Sequence, residues 1–187
     1  MLNQFFWYVY HIPVSTVFPI IVVAVVIWGF AMRFLVRRFP RAVKYGNLAL
    51  AVVALGGILY ITVLRNNPGK QELILQPFQS FIEAKQQKEM YREMLMNVLL
   101  FVPFGLCAPF AFNSVRGSEM LFAFRYVVFT VLLALSISIS IEATQYFFSL
   151  GRCETDDVIF NCSGTILGTI AYIIVLLNRR GENCVKR

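Results

Sequence analysis

Residues 142–168, EATQYFFSLGRCETDDVIFNCSGTILG, bring acids, a fixed cation and amides together around one short turn. Glu142, Asp156 and Asp157 are carboxyl groups able to carry protons or accept hydrogen bonds. Arg152 supplies a planar donor fork, and Gln145 and Asn161 offer both donors and acceptors. Glu142 and Asp157 are the candidate catalytic residues, because general acid–base work takes carboxyl groups held in different protonation states within reach of one substrate. No Ser/His or Cys/His pairing and no Gly-rich phosphate loop accompanies them. The cysteines Cys107, Cys153, Cys162 and Cys184 form no CxxC pair and His11 has no neighbouring ligand, so no metal and no cofactor is expected. A Cys153–Cys162 disulfide would have to tie a turn to a helix interior.

Spacing sharpens the picture. Glu142 and Gln145 stand at i and i+3 on one helical face. A carboxylate at a helix C-terminus meets the negative end of the macrodipole and needs a partner; Arg152 in the adjoining turn is the expected one. Thr155 and Asp156 are natural N-cap residues for the following helix, so Asp156 reads as a cap, a binding residue or both. Asp157, Asn161, Gly164 and Gly168 fall at i, i+4, i+7 and i+11, a single stripe with a carboxylate and an amide above two glycines. Gly164-xxx-Gly168 permits close approach of another helix. The polar pair then either binds a ligand or joins helices, and both readings stand.

The elements that must hold these groups are membrane helices. Hydrophobic residues make up 58% of the 187 and charged residues 14%, against about 25% charged in soluble domains. Five runs approach the roughly 20 apolar residues that cross a bilayer: Val14–Met32, Tyr45–Leu64, Met94–Phe112, Met120–Ile141 and Val158–Asn178. The fold class is all-α, a polytopic bundle of five transmembrane helices in a multi-pass protein of the cell membrane. Pro103 and Pro109, with Gly105 between them, interrupt the third run. Prolines are tolerated at membrane depth where neighbours satisfy the freed backbone groups, so this span is expected inside the bundle. Pro103, Gly105, Gly164 and Gly168 form the expected helix-packing set. Asn97, at the outer end of the third run, faces the same side as the acidic cluster.

Of the 17 basic residues, 11 fall on one side of this alternation: Arg33, Arg37, Arg38, Arg41 and Lys44, then Arg116 and Arg125, then the tail. The positive-inside rule makes that side cytoplasmic, with the N-terminus out and the C-terminus in. The net charge of +7 is therefore topology and headgroup contact, and no nucleic-acid partner is expected. No charged n-region precedes the first run, so a cleavable signal peptide is not expected; the N-terminal aromatics Phe5, Phe6, Trp7, Tyr8 and Tyr10 read as an interfacial belt. The long connection 65–93 opens on RNNPGK, a turn signal. Phe78, Phe81 and Ile82 then fall at i, i+3 and i+4, placing one apolar edge on the membrane surface. The expected organisation is a two-helix region over 1–72, a three-helix region over 73–178 and a basic tail over 179–187.

Three blocks carry a family resemblance: Pro77-Phe78 in LQPFQSF, NVLLFVPFG from Asn97 to Gly105, and Glu142-xx-Gln145 followed by Arg152, Asp156-Asp157, Asn161, Gly164 and Gly168. In order and spacing, residues 73–172 resemble the VanZ-like family, whose turn commonly reads Arg-x-x-Asp-x-Asp-Asp; GRCETDD is a residue shorter and carries Glu154. The resemblance implies association with reduced susceptibility to the lipoglycopeptide teicoplanin in the envelope of Gram-positive bacteria. It is consistent with an outward-facing cleft of Asn97, Glu142, Gln145, Arg152, Asp156, Asp157 and Asn161 that binds a lipoglycopeptide or a lipid-linked cell-wall precursor, with membrane lipid as a further partner. Two other mechanisms stay open: a membrane hydrolase or transferase using Glu142 and Asp157, and a proton-coupled transport subunit with Glu142 as proton carrier. Five spans are few for transport, so the latter would need an oligomer or a partner.

Overall fold

A proline sets the first break in the bundle. In the computed structural model, which describes residues 14–64, 71–85, 88–112 and 120–185, helix α1 (Val14–Arg38) stops two residues before Pro40 and α2 (Pro40–Leu59) starts on it. Proline costs nothing at a first helical position, where the N–H has no intrahelical acceptor. The last turn of α2 widens into a π-turn, Tyr60–Leu64. A short strand β1 (Glu72–Ile74) and a short helix α3 (Gln79–Ala84) follow. Then come α4 (Lys88–Phe112), α5 (Met120–Phe147), strand β2 (Arg152–Glu154) and α6 (Thr155–Val185). The N-terminal aromatic belt, His11 and the RNNPGK turn lie outside the described residues.

Five of these helices are long and apolar enough to cross a membrane. They outrun the apolar segments that announce them: α4 begins at Lys88 and α5 continues to Phe147, because helix formers such as Lys, Glu and Met extend the backbone ladder past the hydrocarbon boundary.

The proline-bearing α4 is the centre of the bundle. Its span is 61% buried, against 11% for α1 and 28% for α5. It runs unbroken through Pro103 and Pro109. It packs on α6 with backbone against backbone. A methyl group added at Gly164 would run into the carbonyl of Val98, with the carbonyl carbon 2.8 Å away. One at Gly168 would meet Val102 and the amide of Leu106 at 2.6 Å, and one at Gly105 the backbone of Thr165. Glycine is required at these three positions because a backbone occupies the place of its side chain. Around this seam Phe101, Phe104, Ala108, Ala134, Ile58 and Ile141 form one buried cluster. Met32, Val36, Phe110 and Tyr172 form a second, with the Phe110 and Tyr172 rings edge-on at 4.6 Å.

Three hydroxyls of α5 are satisfied locally. Ser136, Ser140 and Thr144 each donate to the carbonyl four residues back, the usual way for a hydroxyl to sit in hydrocarbon. The helix closes through Leu150 N donating to Gln145 O at 2.8 Å and Ser149 N to Tyr146 O at 3.2 Å. Ser149 is left-handed there, with φ 54°; this is a Schellman closure with serine where glycine is usual. Beyond it, β2 pairs in parallel with β1, Glu72 facing Arg152 and Ile74 facing Glu154. This small sheet is the one departure from the all-α expectation, and it clamps the polar end of the bundle.

Candidate functional site

The site forms where the end of α5, strand β2, the start of α6 and the start of α4 meet, with α3 laid across them. Asp156 ties α3 down. Its Oδ1 accepts from Phe78 N at 2.5 Å and its Oδ2 from Ser80 N at 2.7 Å. Asp156 lies in the first turn of α6, yet it caps a different helix, not its own as the sequence suggested. Phe78, left-handed at φ 65°, turns its N–H toward the carboxylate. Two hydrogen bonds to one carboxyl group, at a residue only 2% exposed, satisfy two backbone donors at the start of α3. Phe78 and Ile82 are exposed at 57% and 58%, so α3 does present the expected apolar edge, and Phe81 packs edge-on against Phe160.

Arg152 is not the partner of Glu142. Its Nε pairs with Glu154 Oε1 at 2.8 Å, its Nη1 with Glu83 Oε2 at 3.2 Å, and its Nη2 reaches Met90 Sδ at 3.7 Å. The cause is strand geometry: in β2, residues 152 and 154 point to the same side, so the guanidinium follows Glu154 toward α3. Glu154 Oε2 also accepts from Ser80 Oγ at 3.2 Å. Burial holds the Glu154 carboxyl above the usual range; Arg152 and the Ser80 hydroxyl pull against that, and the charges of Glu83 and Glu93 add to it.

Glu142, only 5% exposed, takes its partner from the same strand by another route: its Oε2 accepts from the backbone N of Glu154 at 3.0 Å. Asp157 Oδ1 accepts from Asn97 Nδ2 at 2.6 Å, linking α6 to α4 just above the glycine seam. The Cys153 thiol is pushed up by burial and then by the negative charges of Glu142, Asp157 and Glu154. Cys107, Cys153 and Cys162 are free thiols.

Asn161 and Gln145 sit apart from this group. Asn161 Nδ2 donates to Ser138 Oγ at 2.9 Å, and Gln145 Nε2 to Thr62 O at 2.9 Å, a carbonyl of the π-turn. Their amide oxygens are buried without a hydrogen-bond partner. Thus Glu142, Arg152, Glu154 and Asp156 are joined through one set of hydrogen bonds that includes Ser80, Asn97 and Asp157 form a pair of their own, and Asn161 and Gln145 bridge α5 to α6 and to the π-turn. Among the described residues no three His, Cys, Asp or Glu side chains are placed to hold a metal ion.

Glu154, Ser80 and Glu83 are the residues that sequence reasoning missed. Arg152 and Glu154 alternate in β2, but a strand of three residues is too short to show it in a sequence. Ser80 and Glu83 follow directly on the Pro77-Phe78 block, but only the fold shows that this block lies under Asp156. Chemically, the arrangement is rich in acceptors, and the Arg152 guanidinium is committed to Glu154 and Glu83.

Protein VanZ of Enterococcus faecium is 35% identical over 82 residues, 44% of this chain and 45% of that protein. The match thus spans less than half the length of that relative. No solved structure matches the chain. The family described as VanZ/LLP1 matches residues 51–176, from the middle of α2 through nearly all of the membrane-crossing part of α6. With the whole polar end and the glycine seam inside that match, the chain belongs to the VanZ/LLP1 family.

Proposed function

We propose that this chain acts in the cell membrane of a Gram-positive bacterium to lower susceptibility to lipoglycopeptide antibiotics of the teicoplanin type, by holding the polar head of an amphiphile at the Glu142–Asp157 end of the bundle. The observation that carries the reading is the gathering of carboxyl groups there: Glu142 accepts from Glu154 N, Asp157 from Asn97 Nδ2, and Arg152 is engaged by Glu154 and Glu83. Buried carboxylates call for donors, and ammonium or amide N–H groups provide charge-assisted ones. A lipoglycopeptide carries such groups. A lipid-linked wall precursor has the same amphiphilic form. The lipid tail concentrates the drug in the membrane, beside the exposed Phe78, Ile82, Phe147 and Phe148. The excess of basic residues at the opposite end supports an outward-facing site.

Expression in a susceptible Gram-positive host should raise the inhibitory concentration of teicoplanin more than that of vancomycin. Glu142→Gln and Asp157→Asn should remove the effect at unchanged protein level in the membrane. Equal protection against both drugs would point to a general envelope effect instead. For orientation, an impermeant maleimide on intact cells should reach a variant whose sole cysteine is Cys153 and spare one whose sole cysteine is Cys184; the reverse pattern would turn the site to the cytoplasm.

A further inference from the structure

We infer that Glu154 is a positioning residue of the polar end: it draws Arg152 away from Glu142 and so leaves the Glu142 carboxyl group to pair with an ammonium group of the bound amphiphile. The inference rests on the reading of this end as the amphiphile's site, and it names the carboxyl group that meets the charge of the head.

One residue makes the three bonds that produce this arrangement. The backbone N–H of Glu154 donates to Glu142 Oε2 at 3.0 Å. Its Oε1 pairs with Arg152 Nε at 2.8 Å, and its Oε2 accepts from Ser80 Oγ at 3.2 Å. Arg152 and the amide that Glu142 uses lie two residues apart on β2, roughly 6.6 Å along a strand, a distance that an arginine side chain spans. The cation is therefore near enough to compete for Glu142, and the Glu154 side chain holds it off. Strand geometry turns 152 and 154 to one side, and Ser80 fixes the far oxygen of Glu154 against α3.

The second hold on Arg152 is weaker. Glu83 meets it at 3.2 Å with the two side chains 31% and 33% exposed, where water screens an ion pair, whereas the Glu154 side chain is 9% exposed. The bond that Glu142 accepts comes from a neutral amide. A carboxyl group so bonded can still gain a charge-assisted partner, and an ammonium supplies one; a carboxyl group paired with a guanidinium has that partner already.

Titration calorimetry of the detergent-purified full chain with teicoplanin, together with a stability cycle, tests this. Glu154→Gln keeps the shape of the side chain and frees Arg152 for Glu142, so affinity should fall about tenfold, the worth of one charge-assisted bond. Arg152→Gln/Glu154→Gln also removes the competing cation and should bring affinity back to within about threefold of wild type. If Glu154 acts through folding alone, the double variant binds no better than the single one, and that result overturns the inference. With no ligand present, Arg152→Gln and Glu142→Gln should shift the thermal midpoint additively in the otherwise wild-type chain. In the Glu154→Gln chain, where the two groups pair, they should depart from additivity by about 2–4 °C. Additivity in both chains, or coupling already in the wild-type chain, overturns the inference. If the wild type binds no teicoplanin, the functional reading fails and the stability cycle still decides the role of Glu154. The cycle in the wild-type chain decides alone if Glu154→Gln does not assemble.

Discussion

Gly164→Ala should cost far more than Gly57→Ala, although both replace glycine with alanine in an apolar helix. At Gly164 the new methyl carbon would stand 2.8 Å from the carbonyl carbon and 3.1 Å from the Cα of Val98, whereas carbon atoms rest at about 3.5–4.0 Å. The obstacle is backbone, so no rotamer change relieves it, and α4 and α6 must part by roughly 1 Å. Overpacking of this kind costs about 1–3 kcal/mol. At Gly57 a methyl group meets nothing within 4 Å. The gain in helix propensity on leaving glycine, about 1 kcal/mol, is common to both substitutions, so their difference isolates the helix contact. For a chain of this size 1 kcal/mol moves the midpoint by about 2–4 °C, which places Gly164→Ala roughly 2–12 °C below Gly57→Ala in thermal unfolding of detergent-purified protein. Parting the helices also strains the 2.6 Å bond from Asn97 to Asp157, so protection against teicoplanin should fall with Gly164→Ala and persist with Gly57→Ala. Equal melting of the two variants would refute the close approach of α4 and α6 and, with it, the seating of Asp157.

Two further expectations concern the polar end. Asp156→Asn keeps the shape of the side chain but leaves its amide N–H₂ facing one of the two backbone donors, Phe78 N or Ser80 N; it should destabilise the protein by about 2–3 kcal/mol and speed hydrogen exchange at residues 78–80, and unchanged exchange would show that Asp156 does not hold α3. In a variant whose only cysteine is Cys153, maleimide labelling of the purified protein should lag behind that of an exposed cysteine at pH 7–8 and keep rising past pH 9, because the thiol is raised above its ordinary value of 9.0 and the thiolate is the reacting species. Glu142→Gln removes one of the charges that raise it and should shift that rate profile to lower pH; a profile indifferent to Glu142 would separate the two groups.

The membrane-crossing architecture was legible in the sequence because its causes are local. About 20 apolar residues make a span wherever they occur, and the i, i+4, i+7 stripe from Asp157 to Gly168 states which face of α6 must be narrow. Pro103 and Pro109 marked α4 as internal for a similar reason: a backbone short of hydrogen bonds is tolerated only among neighbours. The carboxylates, too, were placed at the correct helix ends by counting residues. Their partners were not, since these come from segments far away in the chain. Asp156 caps a helix whose first amide lies 78 residues earlier, and Arg152 turns from Glu142 to Glu154 and Glu83 because β2 pairs with β1. Strands of three residues carry too little alternation to be read from a sequence. Helix ends and spans follow from each segment's own solvation and hydrogen bonding, but which donor meets which carboxylate depends on the register of segments that only packing brings together.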